Sequence, residues 1–304
     1  TKGLWIYKKL LKFNGKNVIF LDTEGIDALD ANDTHDVRIF TLALLLSSTF
    51  IYNSMGPIDE TALATLSLMT RVTENVKVQV DGDDSEISNI APHMPRFYWI
   101  LRDFSLRLTN KNNENISEDE YLEQALKDTA DPNKNNVRDA IRTAFTSRCL
   151  ITLPRPSSND PSIQRMEDRL MSISNAFTSS VTKLRERVMK DLKPMMAGKS
   201  ALNGQMYCAL CTHYAAIVET NAIPVIKDSW ALIAGIQARD VKEAVLFDAN
   251  QILSTMKPKQ KHQLQEDMKI LIKTLMNTFN TKAMKPVDTE VGNSLEKKLM
   301  EVCA

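Results

Sequence analysis

An α/β fold is the class this sequence predicts, with a mostly parallel sheet in its first part and an all-α part after it. Two observations carry that expectation. Up to about residue 155, short apolar runs rich in β-branched and aromatic residues alternate with helical patterns, and such alternation makes a doubly wound, mostly parallel sheet. Beyond Pro161 the strand signals stop, while apolar residues keep recurring at helical spacing.

In chain order, residues 17–21 read NVIFL between Gly15 and DTEG, which predicts a central strand buried on both faces. A helix is expected over 37–47 and a strand over 49–52. A helix over 61–78 follows, then a strand over 97–101, opened by Pro95 and closed by Arg102 and Asp103. Ser117 and Glu120 have capping-box spacing ahead of Tyr121, Leu122, Ala125 and Leu126, so a helix starts there. A helix over 137–148 leads into a strand over 149–153, stopped by Pro154 and Pro156. The polar runs 81–89 and 109–115 read as surface loops. Helices are then expected over 163–192, 205–223, 225–256 and 260–284, with Pro224, Pro258 and Pro286 as punctuation. Small and flexible residues cluster over 196–204, which sets the domain boundary: 1–197 for the α/β domain and 198–304 for the start of a helical domain.

Bulk composition removes several functions. The 304 residues carry 38 Lys plus Arg and 38 Asp plus Glu, a balance that gives no reason to expect a general nucleic-acid or membrane-surface binder. Four cysteines do not make a disulfide framework in a chain this long, which points to a reducing compartment with the cytosol as default. The apolar stretch 40–52 is interrupted by Ser47, Ser48 and Thr49 and falls short of the roughly 20 residues a membrane span needs. Thr1 follows no signal-like run, so the chain is expected to be truncated or processed ahead of it.

Two motifs offer chemistry. An apolar strand that ends in Asp22 with Gly25 three residues on is the pattern that places a carboxylate near Mg²⁺ and a backbone N–H near a γ-phosphate. Asp-x-x-Gly alone is a weak signal, expected on the order of once by chance in such a length; the strand before it gives it meaning. At the end of the 97–101 strand, Asp103 stands where open α/β sheets bind ligands. A carboxylate there can accept hydrogen bonds from guanine N1–H and N2–H, which adenine cannot supply. From this motif alone, Arg102 and Asp103 read more readily as solvated residues that cap the strand end.

Five blocks in order, TKGLWIY, VIFLDTEG, IFTLALLLSSTFIYNSMG, YWILRDFSLRL and ISEDEYLEQALK, resemble the guanylate-binding protein family of dynamin-like large GTPases. The match is strong over about the first 155 residues, continues weakly through LPRP at 153–156 and returns at LNGQMYCAL. Atlastins are similar but more distant. The resemblance implies a P-loop NTPase-type sheet that lacks its first strand and its P-loop within this chain, followed by a helical domain. It implies Mg²⁺-dependent GTP hydrolysis coupled to self-association. By position, Thr1 resembles the switch threonine on Mg²⁺, with Asp22 as the second residue at the metal. Asp22, Thr23, Glu24, Gly25 and Ile26 resemble the strand and switch facing the γ-phosphate, with Glu24 organising the attacking water, and Arg102 and Asp103 match the guanine-recognition pair. Residues 27–36 correspond to the second switch. A homodimer through the GTPase domain is implied, as are membrane or effector contact through a part beyond this chain, no nucleic acid, and a cytoplasmic protein able to sit peripherally at membranes.

No G-x-x-x-x-G-K-[S/T] occurs in the 304 residues. AGKS at 197–200 lacks the first glycine and follows a helical pattern, so it reads as linker. The alternative to an enzyme is therefore a catalytically inactive scaffold or binding protein. Cys208 and Cys211 form a C-x-x-C near His213, but the surrounding Met206, Leu210 and Tyr214 have helical spacing, which favours buried helix packing over zinc. The acidic run 27–36 fails calcium-loop spacing, and the four histidines have no partner constellation.

Overall fold

The computed structural model describes residues 3–25, 34–66, 91, 94–110, 112–157, 173–197, 200–220, 226–256, 261–284 and 289–303. The expected loop 81–89, the second half of the 61–78 helix and the prolines at 224, 258 and 286 lie outside these residues. The chain divides into two compact units, Thr1–Pro194 and Met195–Ala304.

The first unit opens with a long antiparallel hairpin. Strands β1 (Leu4–Ile6), β2 (Leu11–Phe13), β3 (Lys16–Val18) and β4 (Leu21–Thr23) pair β2 with β3 and β1 with β4. Its tip is Asn14–Gly15, both at positive φ (47° and 74°), the two-residue turn whose twist matches a right-handed ribbon. Between the two ladders, residues 7–10 stand opposite Ile19 and Phe20 only, and the Tyr7 N–H still reaches the Phe20 carbonyl at 2.9 Å. Residues 17–21 are thus not one central strand buried on both faces. They divide between β3 and β4, and Ile19 and Phe20 are exposed. An apolar run is compatible with a central strand or a hairpin arm, and the Asn-Gly turn decides for the hairpin.

Helix α1 (Thr34–Leu45) packs against β1 and β4, and its Phe40 ring meets Phe50 edge-on at 5.4 Å. Phe50 belongs to β5 (Thr49–Met55), which runs parallel to β6 (Arg96–Arg102), itself parallel to β7 (Arg148–Thr152). The short helix α2 (Glu60–Thr65) follows β5, capped by Asp59, whose Oδ1 accepts from the Ala62 N–H at 2.8 Å. The expected parallel sheet is present in these three strands, with β6 central and buried on both faces. One face carries Phe97 and Trp99 in a ring cluster with Tyr52 and Phe145, Phe97 stacking on Phe145 at 4.5 Å. The other carries Tyr98, Ile100, Cys149 and Ile151 under a later helix. β6 is apolar from 97 to 101 because neither face meets water.

Helix α3 (Glu118–Ala125) begins at the capping box anticipated from Ser117 and Glu120, both halves of which are formed. Ahead of it, Thr109 and Asn115, the ends of the expected loop, are joined by a bridge. Helix α4 (Pro132–Ala144) leads to β7 and ends short of 148, because Arg148 already begins the strand. Helix α5 (Asn175–Asp191) covers the Tyr98 face with Phe177, Leu184 and Val188, yet none of its residues is fully buried. Polar anchors spaced four residues apart complete its attachment: Lys183 on Glu118, Arg187 on Asp119, and Asp191 on Arg96 and Tyr98.

The second unit starts with a small antiparallel pair, β8 (Met196–Ala197) and β9 (Ser200–Ala201), at the AGKS segment. Among the described residues, helices α6 (Gly204–Glu219), α7 (Ile226–Thr255), α8 (Lys261–Lys282) and α9 (Thr289–Val302) follow. The last was not anticipated, although Val291, Leu295 and Leu299 recur every four residues. They pack with Ala238, Val245, Ala249, Leu275 and Phe279 into one core. Gln237 on α7 fastens the end of α8, donating to the Lys282 carbonyl and accepting from the Met284 N–H. Cys208 is exposed and Cys211 half-buried on α6, so buried packing of the C-x-x-C is corrected to a partly solvated helix face; Met206, Leu210 and Tyr214 are the buried positions. Among the described residues, no helix is long and apolar enough to cross a membrane.

Candidate functional site

Asp103 follows directly on β6, where the parallel sheet delivers its C-terminal ends. Its φ of 54° places it in the left-handed region, which a non-glycine residue occupies at some strain but which Asp tolerates better than most. Neighbours impose that conformation. Leu101 and Phe104 on either side are buried, while Arg102 is exposed and the Asp103 carboxyl is 35% exposed. Leu153, just past β7, bonds to both flanks: its N–H donates to the Leu101 carbonyl at 2.8 Å and its carbonyl accepts from the Phe104 N–H at 3.0 Å. On the other side, the Gly56 N–H donates to the Arg102 carbonyl at 2.7 Å, from a turn where glycine meets a φ of 78°. The chain must turn out of the sheet between Arg102 and Phe104, and that turn leaves the Asp103 carboxylate open to an incoming donor pair.

Arg155 brings its Nε within 3.9 Å of the Asp103 Oδ2. This neighbour was not foreseen. In the sequence LPRP carries only a weak resemblance, and nothing in its spacing sets Arg155 beside Asp103; the parallel β6–β7 pairing does.

Asp22, Thr23, Glu24 and Gly25 lie at the end of β4, on a separate ladder. Asp22 is opposite Trp5 and exposed, Thr23 is opposite Leu4, and the Glu24 N–H donates to the Gly3 carbonyl at 3.0 Å. Thr1 and Ile26, together with 27–33 of the expected switch, lie outside the described residues. The structure groups the predicted residues in two sets, Asp22–Gly25 on the hairpin and Arg102–Asp103 on the sheet, and the β-ladders do not join them. Among the described residues there is no cluster of three His, Cys, Asp or Glu that could hold a metal ion. A cavity of about 650 Å³ beside α2 and α3, lined by Asp59, Glu60, Asn110, Gln124 and Arg138 among others, includes none of the predicted site residues.

The family model described as "Guanylate-binding protein, N-terminal domain" matches residues 1–195. The chain belongs to the guanylate-binding proteins. Guanylate-binding protein 2 of Rattus norvegicus is 30% identical over 316 residues, covering 98% of this chain and 54% of the relative. Guanylate-binding protein 6 of Mus musculus is 31% identical over 252 residues, 77% of this chain and 40% of the relative. Guanylate-binding protein 2 of Homo sapiens is 26% identical over 323 residues, covering the whole chain and 54% of the relative. The chain thus spans about half the length of the curated guanylate-binding proteins it matches.

Proposed function

We propose that this chain supplies the base-selecting and water-organising part of a guanylate-binding-protein GTPase that binds GTP and hydrolyses it to release phosphate. The observation that carries the reading is Asp103, presented at the C-terminal edge of a parallel sheet in a conformation its neighbours impose. In this reading the Asp103 carboxylate accepts from guanine N1–H and N2–H, Arg102 flanks the base, Glu24 orients the attacking water, and the Gly25 N–H faces the γ-phosphate.

Asp22 fits Mg²⁺, because it is an exposed hard-oxygen donor and Mg²⁺ is usually held by one or two carboxylates beside phosphate oxygens and waters. Thr1 would be the second protein contact. The ion, when bound, would neutralise charge on the phosphates. Domain limits of 1–197 and 198–304, a homodimer through the GTPase domain, and a cytoplasmic location with peripheral membrane contact belong to the same proposal. They rest on the resemblance of the sequence blocks to that family.

Asp103→Asn tests the base reading. A carboxamide presents one acceptor and one donor, which suits the N1–H and C2 carbonyl of xanthine, so the variant should exchange a guanine preference for a xanthine preference. An unchanged preference rejects the assignment. A second reading is a binding or scaffold protein without turnover. Sequencing the transcript upstream of Thr1 separates the two. A phosphate loop after an apolar strand, roughly 20 to 40 residues ahead, supports the enzyme; a stop codon or an unrelated domain there supports the scaffold.

A further inference from the structure

We propose that Glu118, in the first turn of α3, is a positioning residue for Asp103 and sets how sharply the site selects its base; this rests on the reading that Asp103 binds guanine. The outer edge of β7 has no neighbouring strand among the described residues, and two carboxylates take that place. The Leu150 N–H donates to Asp119 Oδ1 at 2.9 Å, and the Thr152 N–H donates to Glu118 Oε1 at 2.7 Å. The Thr152 hydroxyl donates to the same Glu118 oxygen at 2.8 Å. The second oxygen of Glu118 accepts from Lys183 on α5 at 3.1 Å, and Asp119 pairs with Arg187 at 2.6 Å. Glu118 is only 14% exposed, so it is a held group and not a solvated one.

Thr152 is the last residue of β7, and Leu153 is the one that grips both flanks of Asp103. By fixing the Thr152 N–H and hydroxyl, Glu118 fixes where Leu153 enters, and hence the turn that sets the Asp103 carboxylate. One helical turn further on, Tyr121 packs edge-on against Phe104 with ring centroids 5.9 Å apart. Helix α3 therefore holds the chain after Asp103 directly and the strand beside it through Glu118. A displacement of Thr152 would pass to Leu153 and tilt the acceptor pair away from the two guanine donors. Losing alignment at one of two donors removes discrimination before it removes all affinity, because the penalty falls on whichever buried group is left unpaired.

The test uses the 304-residue chain with GMP and IMP, which differ only in the 2-amino group, as probes at millimolar concentration followed by NMR. The unmodified chain is expected to prefer GMP by on the order of tenfold, the size of one well-made hydrogen bond. Glu118→Ala should bring that ratio to about twofold, whereas Glu118→Gln, which keeps an acceptor for Thr152, should retain most of it. Asp119→Ala removes the acceptor one pair further from the turn, so it should lower the melting temperature without changing the ratio. Should Glu118→Ala fail to fold, Thr152→Val deletes the hydroxyl donor alone and should lower the ratio about threefold. A folded Glu118→Ala protein with the full GMP preference overturns the proposal, as does an Asp119→Ala protein that loses the preference equally. If the unmodified chain shows no preference for GMP and Asp103→Asn none for XMP, the base assignment itself has failed, and the role of Glu118 falls with it.

Discussion

The Tyr98 hydroxyl donates a 2.6 Å hydrogen bond to the Asp191 carboxylate, joining the middle of the central strand to the last residue of α5. Arg96 pairs with the same carboxylate at 3.0 Å. Burial, and then the bond to Asp191, push the Tyr98 phenol well above its ordinary range. A raised value means the contribution is complete below the unfolded tyrosine value of about 10 and is lost as pH climbs through the folded one. Tyr98→Phe should lower stability by about 1 kcal/mol at neutral pH and flatten the fall in melting temperature above pH 10. An unchanged alkaline slope would show that Tyr98 does not report on this contact.

Arg138 is buried with its guanidinium on three partners: the Ala125 and Lys134 carbonyls and the Glu60 carboxylate, the last at 2.6 Å. The bond from Arg138 holds the Glu60 carboxyl below its ordinary range. Here the sign is opposite to Tyr98: the contribution is present above the unfolded value of about 4.3 and disappears as pH falls through the lower folded one. Glu60→Ala leaves a buried charge with two carbonyls, and because Glu60 is half exposed the loss should be about 1 to 2 kcal/mol. Chemical denaturation at pH 7 measures the loss. At pH 3 the gap between variant and parent should shrink.

In the second unit, Leu295 is fully buried among residues of α7 and α8. Leu295→Ala should cost about 3 kcal/mol through lost burial and the cavity left behind. Hydrogen exchange read separately on 195–304 and 1–194 should show the loss in the former, and a loss of similar size in both would mean that the two units unfold together.

Incubated with GTP and Mg²⁺, the 304-residue chain should show no measurable phosphate release and poor affinity by calorimetry, because the lysine and backbone N–H groups of a phosphate loop are not among its residues. Micromolar GTP binding would reverse this expectation.

Strands over 97–101 and 149–153 could be read from the sequence because burial on both faces leaves runs that are apolar throughout or broken only by Thr152, a constraint strong enough to see locally. The Ser117–Glu120 capping box was equally legible, since both partners lie within one turn. Residues 17–21 misled for the opposite reason: their apolar pattern is shared by two environments, and Gly15 reads in the sequence only as a flank of the run, whereas with Asn14 it forms the hairpin turn. Asp103 could be singled out by its place at a strand end, but its left-handed backbone could not, because that follows from Leu153, Gly56 and Arg102 meeting in space. In the sequence Glu118 is only one of three acidic residues in the first turn of its helix, beside the Ser117–Glu120 box. Its acceptor function exists only once β7 lies alongside.

Among the described elements of the first unit, helix α5 has no fully buried residue and is held by ion pairs at every fourth position. Screening shortens from about 10 Å at 0.1 M salt to about 3 Å at 1 M, and it weakens partly exposed pairs far more than dispersion between aromatic rings. The ring cluster of Phe97, Trp99 and Phe145 would hold through such a change, while α5 would depend more on Phe177, Leu184 and Val188 against the sheet. Ionic strength is therefore a dial that turns on this helix and leaves the strands beneath it nearly untouched.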